Sequence, residues 1–232
     1  MDQDSHLTPA VRGDGLSSDP DFLAHTYVVI DFEALTPAGR PAVPIEVAAL
    51  ALVPKNGELI EAWRYQALIA PPAQVPVTAF DIRQTGIIAA MLSHAAPPGK
   101  VMAELDAAFT APPYRLVAHH APTEAGLIAH QAGHCPTLAA IPLLDTVRLA
   151  RLSYPELSSH SLDQVLRLLR IPVPPSRHRA MPDVEVTAEV LRRMLAENTG
   201  SGRWRTLHAL DRDAGVPPKR LPTSAGSQQE LF

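Results

Sequence analysis

"YVVIDFEAL", Tyr27 to Leu35, joins an apolar, β-branched run to two acids. Val28, Val29 and Ile30 have the pattern of a strand covered on both faces. Asp31 and Glu33 stand two apart at its end, and in an extended chain such positions project from the same side. Two carboxylates at roughly 4 Å repel each other by about 4 kcal/mol at an effective dielectric near 20. Either one of them holds a proton or a cation sits between them.

The rest of the 232-residue chain is long enough to build a proper hydrophobic core around that strand. Hydrophobic residues make up 46% and charged residues 19%, as in ordinary globular domains. No apolar run approaches the roughly 20 residues that cross a bilayer, and the first residues lack the pattern of a signal peptide. Cys135 stands alone, which excludes an intramolecular disulfide and a thiolate metal cage. These features predict a cytoplasmic protein with no membrane partner. The net charge of −4 gives no hint of a polyanion as partner, although carboxylates that hold metal would make even a nuclease acidic.

The 24 prolines cut the chain into short elements joined by stiff loops. Residues 1–24 are polar and without periodicity, and read as a disordered leader. "TYVVIDF", "IEVAALALV" and "LIEAWRYQALI" read as three strands, the last two joined by a hairpin at Asn56-Gly57. "IRQTGIIAAML" and "KVMAELDAAF" read as helices, "YRLVAHH" as a strand, and "PTEAGLIAHQAG" as a helix with Thr123 as N-cap. "PLLDTVRLARL" reads as a short strand running into a helix, followed by helices in "SLDQVLRLLRI" and "PDVEVTAEVLRRMLAEN". The order predicts an α/β domain over 25–198: a three-strand antiparallel meander plus further strands in one mixed sheet, flanked by helices. Residues 199–232, rich in Gly, Ser, Pro and Arg, read as a flexible tail.

Polar residues gather where elements meet. His119, His120 and Glu124 lie where a strand hands over to a helix. His178 lies five residues before Asp183, which falls in the first turn of the last long helix. Ligand and catalytic groups collect at such ends in open α/β folds. Taken alone, Glu124 reads equally well as a capping acid behind Thr123, and Asp183 as an acid at a helix N-terminus.

Together these residues resemble the DEDDh (DnaQ-like) 3′→5′ exonucleases, which share the ribonuclease H-like fold. The family's Asp-x-Glu matches Asp31-Phe32-Glu33, and its His-x-Ala-x-x-Asp is met by His178-Arg179-Ala180-Met181-Pro182-Asp183. Its middle motif, roughly His-Asn-Ala-x-Phe-Asp, aligns with His119-His120-Ala121-Pro122-Thr123-Glu124. "PIEVAAL", "LLDTVRLAR" and "SHSLDQVLRLLRI" also resemble family segments, and the likeness spans about residues 26–198. The chain departs from the pattern at His120, Thr123 and Ala34, and most seriously at Glu124, where the family has Asp.

The resemblance implies phosphodiester hydrolysis with two Mg²⁺ or Mn²⁺ ions at single-stranded 3′ ends. It implies that Asp31, Glu33 and Asp183 hold one ion, and that Asp31 anchors the second with Glu124 reaching it through water. By the same resemblance His178 is the general base, while Phe32, Ala34, His119 and His120 lie against the substrate. The closing Gln228-Gln229-Glu230-Leu231-Phe232 resembles the peptide by which bacterial replication proteins dock on the sliding clamp. In that resemblance Leu231 and Phe232 fill a pocket and Gln228 bonds at its rim, which favours DNA as substrate. An exoribonuclease and a catalytically weakened, partner-recruiting family member are the alternatives. No Gly-rich dinucleotide loop or P-loop follows any strand, which argues against a nucleotide-binding oxidoreductase.

Overall fold

The computed structural model describes residues 15–199 and 201–221. After a 3-10 turn at Leu16–Ser18, the elements are α1 (Pro20–Ala24), β1 (Thr26–Leu35), β2 (Val43–Lys55) and β3 (Glu58–Leu68). Then come α2 (Ala79–Thr85), α3 (Ala89–Leu92), α4 (Pro98–Asp106), β4 (Tyr114–Ala118) and α5 (Ala121–His130). The chain continues through β5 (Leu143–Asp145), α6 (Thr146–Ser153), α7 (Leu162–Leu169), α8 (Ala180–Thr199), α9 (Leu207–Ala214) and β6 (Gly215–Val216).

The six strands form one mixed sheet in the order β3-β2-β1-β4-β5-β6. β1, β2 and β3 are the expected antiparallel meander, and Asn56 and Gly57 turn the hairpin with φ of 53° and 86°. β4 and β5 add in parallel, and β6 closes the far edge antiparallel to β5. Because side chains alternate along a strand, β1 feeds two cores. Tyr27 and Val29 pack with Leu50, Leu166, Val184 and Leu191, whereas Val28, Ile30 and Phe32 pack with Val47, Met102 and Ile128. The sheet is covered on both faces, as the apolar run at 28–30 predicted. Its fold is α/β with the ribonuclease H-like layout. Among the described residues no helix is long and apolar enough to cross a membrane.

Several local expectations are corrected. The helix read over 82–92 is two, because Gly86 ends α2 in a left-handed conformation at φ 69°; a Thr78–Asp81 capping box starts α2 earlier. Thr123 does not cap α5: His120 does, from a left-handed backbone at φ 84°. Both expected flexible ends reach into the fold. Leu16 and Phe22, assigned to the leader, are buried in the core with Trp204, Leu207 and Leu210, assigned to the tail. The backbone N–H of Leu207 donates to Asp19 Oδ2 at 2.7 Å, and Trp204 Nε1 donates to Asp213. Contacts between ends almost 190 residues apart leave no local periodicity, so composition alone misled. The described elements therefore run from Leu16 to Val216. Gln228, Leu231 and Phe232 lie outside the described residues.

Candidate active site

β1 carries Asp31 and Glu33 past the end of its parallel partner β4, whose pairing stops at Val29. Beyond that point the polar side chains are free of a neighbouring parallel strand. Both acids share the β1 face of Tyr27 and Val29, the face that α8 covers, so Asp183 in the first turn of α8 comes to meet them. α5 brings Glu124 from the other side. Its side chain is buried against the acids rather than turned to the helix end as a cap.

The electrostatics record the crowding. Burial, then the charges of Glu124, Glu33 and Asp183, push Asp31 well above the usual carboxylate range. Burial, Asp183 and Glu46 lift Glu33 to about 7, against Arg177 and Arg179. Burial and Glu33 lift Glu124 to about 8, opposed by the backbone N–H of Phe32. So the protein without a cation resolves the repulsion expected at β1 by holding protons.

The loop before α8 is fixed by a second, buried acid. Glu46 stands opposite Glu33 in the β1–β2 register and is 0% exposed. It accepts two bonds from Arg179, at 2.9 and 2.7 Å, one from Gln66 and one from the backbone N–H of Ala180. These bonds satisfy its charge and pin the two residues that follow His178. His178 itself is exposed and holds a left-handed backbone at φ 63°, a strained conformation for a histidine that the Glu46 anchor sustains.

Among the sequence-derived candidates, Glu33, His178 and Asp183 each place a donor atom within 4.8 Å of the other two. Asp31 and Glu124 border this group through the shared field. Glu124 Oε2 and Asp183 Oδ1 are buried with no hydrogen-bond partner among the described residues. Orphaned carboxylate oxygens in a donor set of acids and one imidazole fit a hard divalent cation.

A cleft of about 400 Å³ opens over Asp31 and Asp183, lined also by His120, Arg151, Ser159 and Arg177. A larger groove, of about 680 Å³, lies elsewhere between α1, α8 and the β2–β3 hairpin and holds none of the four acids. The residues expected against substrate divide. His120 is exposed in the cleft. His119 lines it, but both its ring nitrogens are engaged, with Thr146 Oγ1 at 2.9 Å and the His160 carbonyl at 3.0 Å. Burial holds His119 down to about 4, so it is neutral at physiological pH. Phe32 packs its ring in the core on the opposite face of β1, and Ala34 is half-buried at a register shift after Glu33.

Two further residues escaped sequence reasoning. Arg177 Nε donates to Asp163 at 2.8 Å and its Nη1 is ion-paired with Asp183. Asp145, at the end of β5, accepts the backbone N–H of Val147 and of His120, capping α6 while holding the strand-to-helix corner that carries Glu124. The only signals for these were an arginine beside the motif histidine and the acid of "LLDTV".

The RNase T family model, described as exonuclease, matches residues 28–191. The DNA polymerase III PolC-type of Bacillus cereus is 33% identical over 175 residues, which is 74% of this chain and 11% of that protein. A DNA polymerase III subunit epsilon-like protein of Rhodobacter capsulatus is 30% identical over 175 residues, 73% of this chain and 24% of that protein. The chain thus spans about a tenth of the PolC-type relative and a quarter of the epsilon-like one. Escherichia coli exonuclease I in complex with a dT13 oligonucleotide superimposes with a TM-score of 0.65 at 15% identity, covering 76% of this chain and 42% of that one. The nuclease domain of 3′hExo, a DEDDh family member bound to rAMP, gives 0.62 at 18% identity over 75% and 93%. The match over most of its length, with the motif acids gathered at the end of β1, makes this chain a member of the RNase T exonuclease family, as its DEDDh-like motifs indicated.

Proposed function

We propose that this exonuclease removes nucleoside monophosphates from the 3′ end of single-stranded DNA. The observation that carries the reading is the convergence of Asp31, Glu33, Glu124 and Asp183, two of them with orphaned oxygens, with Asp31 and Asp183 open to a cleft. Asp31, Glu33 and Asp183 would hold Mg²⁺ or Mn²⁺, with Glu124 alongside for a second ion. Bound there, such ions supply Lewis-acid stabilisation to the phosphate and its leaving oxygen. His178, exposed beside Glu33 and Asp183, accepts the proton of the attacking water at a ring nitrogen. The Glu46–Arg179 anchor holds the backbone that follows His178. His120 and Ala34 border the terminal nucleotide. His119 acts behind them by fixing the corner between β4 and α5, and Phe32 by presenting its backbone N–H to Glu124.

The polymerase relatives support DNA, and the Gln228, Leu231 and Phe232 peptide supports a role beside the bacterial sliding clamp. The test uses matched 5′-labelled DNA and RNA oligonucleotides, with free and blocked 3′ ends. DNA should shorten stepwise from a free 3′ end only, and EDTA should stop it. Cleavage that persists in EDTA or in Asp183→Ala would sink the reading, and faster loss of RNA would turn it to an exoribonuclease. Titration of a sliding clamp with a peptide of the last residues should show binding that Leu231→Ala/Phe232→Ala abolishes; absence of binding removes the clamp.

A further inference from the structure

We infer that Arg177 is a built-in counter-ion, which occupies Asp183 until a divalent cation displaces it onto Asp163. The inference rests on the metal-site reading above. The guanidinium spans two acids: Nη1 is ion-paired with Asp183 Oδ2 inside the cluster, and Nε donates to Asp163 Oδ1 at 2.8 Å outside it, in the first turn of α7. The pair with Asp183 is well shielded, the two side chains being 14% and 9% exposed, whereas Asp163 is 43% exposed.

Two other observations give this contact its meaning. Arg177 is the cation whose charge counters both Asp31 and Glu33. The other arginine felt by Glu33, Arg179, is committed to Glu46 through both nitrogens of its fork. Arg177 therefore supplies part of the neutralisation that a bound cation would complete. Asp183 presents one oxygen to Arg177 and leaves its other oxygen unpartnered. A divalent ion drawn to that acid meets a guanidinium already on it, and two cations on one carboxylate repel. The bond to Asp163 gives the displaced side chain a place to stay: rotation about the Cδ–Nε bond swings the rigid guanidinium plane off Asp183 while Nε stays beside its partner. Asp163 is thus a positioning residue for metal binding without being a ligand, and its charge weakens the hold of Arg177 on the site.

The test is Mn²⁺ binding to the metal-free full-length protein, followed by calorimetry and by the loss of the free-ion paramagnetic resonance signal. Wild type, Arg177→Gln, Asp163→Asn and the double variant are compared. A charge-assisted bond contributes about 1.5–3 kcal/mol, so Arg177→Gln should tighten Mn²⁺ by about tenfold or more. Asp163→Asn should weaken it several-fold, because the guanidinium loses its partner outside the cluster and stays on Asp183. The double variant should match Arg177→Gln. Asp163 lies at the surface, so its substitution leaves the fold intact and reads the opposite direction independently. If Arg177 merely orients Asp183, Arg177→Gln weakens Mn²⁺ instead; that result, or equal affinities in all four proteins, overturns the inference alone. Mn²⁺ binding to none of the four would overturn the metal site and the inference together.

Discussion

Raising the pH should destabilise the metal-free protein. Glu33 and Glu124 keep their protons in the folded state to about 7 and about 8, whereas in the unfolded chain both ionise near 4.5. Above 4.5 the native state therefore binds more protons than the unfolded one, and stability falls as pH rises until the folded carboxyls ionise. Asp31 is raised too and acts in the same direction. His119 opposes them lower down: held at about 4 when folded and near 6.5 when unfolded, it adds stability as pH rises across that span. Glu46 and Asp163 are lowered, so their stabilisation disappears only as the solution becomes acidic. The clean window runs from pH 6.5 to 8. Across it Glu124, which is buried, contributes about 2 kcal/mol at ~1.4 kcal/mol per pH unit. For a domain of this size that is roughly 4–8 °C in melting temperature. The assay is thermal unfolding with EDTA at steps from pH 6 to 8.5, repeated with Mg²⁺ or Mn²⁺. The metal should raise the melting temperature most at high pH and flatten the profile, because binding replaces the protons. A metal-free profile that is level or rising from 6.5 to 8 would refute the account of buried, proton-sharing acids.

Four substitutions extend the test. Asp31→Asn should abolish nuclease activity yet leave the metal-free melting temperature at pH 8 equal or higher, since one repelling charge is gone; marked destabilisation would contradict this. His178→Asn, chosen because asparagine tolerates the left-handed backbone, should slow turnover roughly a hundredfold with folding unchanged, and wild-type turnover at every pH would remove His178 as the base. Glu124→Asp should match or raise activity, and wild type should prefer Mn²⁺ to the geometrically stricter Mg²⁺; indifference to both Glu124→Asp and Glu124→Ala would leave Glu124 outside the site. Trp204→Ala should cost about 3–5 kcal/mol in chemical denaturation, because the ring is 2% exposed; unchanged stability would return residues 201–216 to the status of a tail.

What the sequence determined by itself is what short covalent spacing determines. The run at 28–30 specified a strand covered on both faces, and the two-residue spacing put Asp31 and Glu33 on one side of it. Asn56-Gly57 set the hairpin register, and the apolar face of Val184, Ala188, Leu191 and Leu195 specified the helix that carries Asp183. The motif residues could be assembled because each sits at the end of an element that local pattern reveals. Tertiary structure decided the rest, for one physical reason: the partners are far apart in the chain. Leu16 and Phe22 share one core with Trp204 and Leu207, so described parts of the expected leader and tail meet in the fold. Glu46 is tolerable at 0% exposure only because Arg179, 133 residues away, meets it with two bonds. And Arg177, which pairs with Asp183 beside the opening acids, is delivered by a loop whose own sequence says nothing of where its side chain turns.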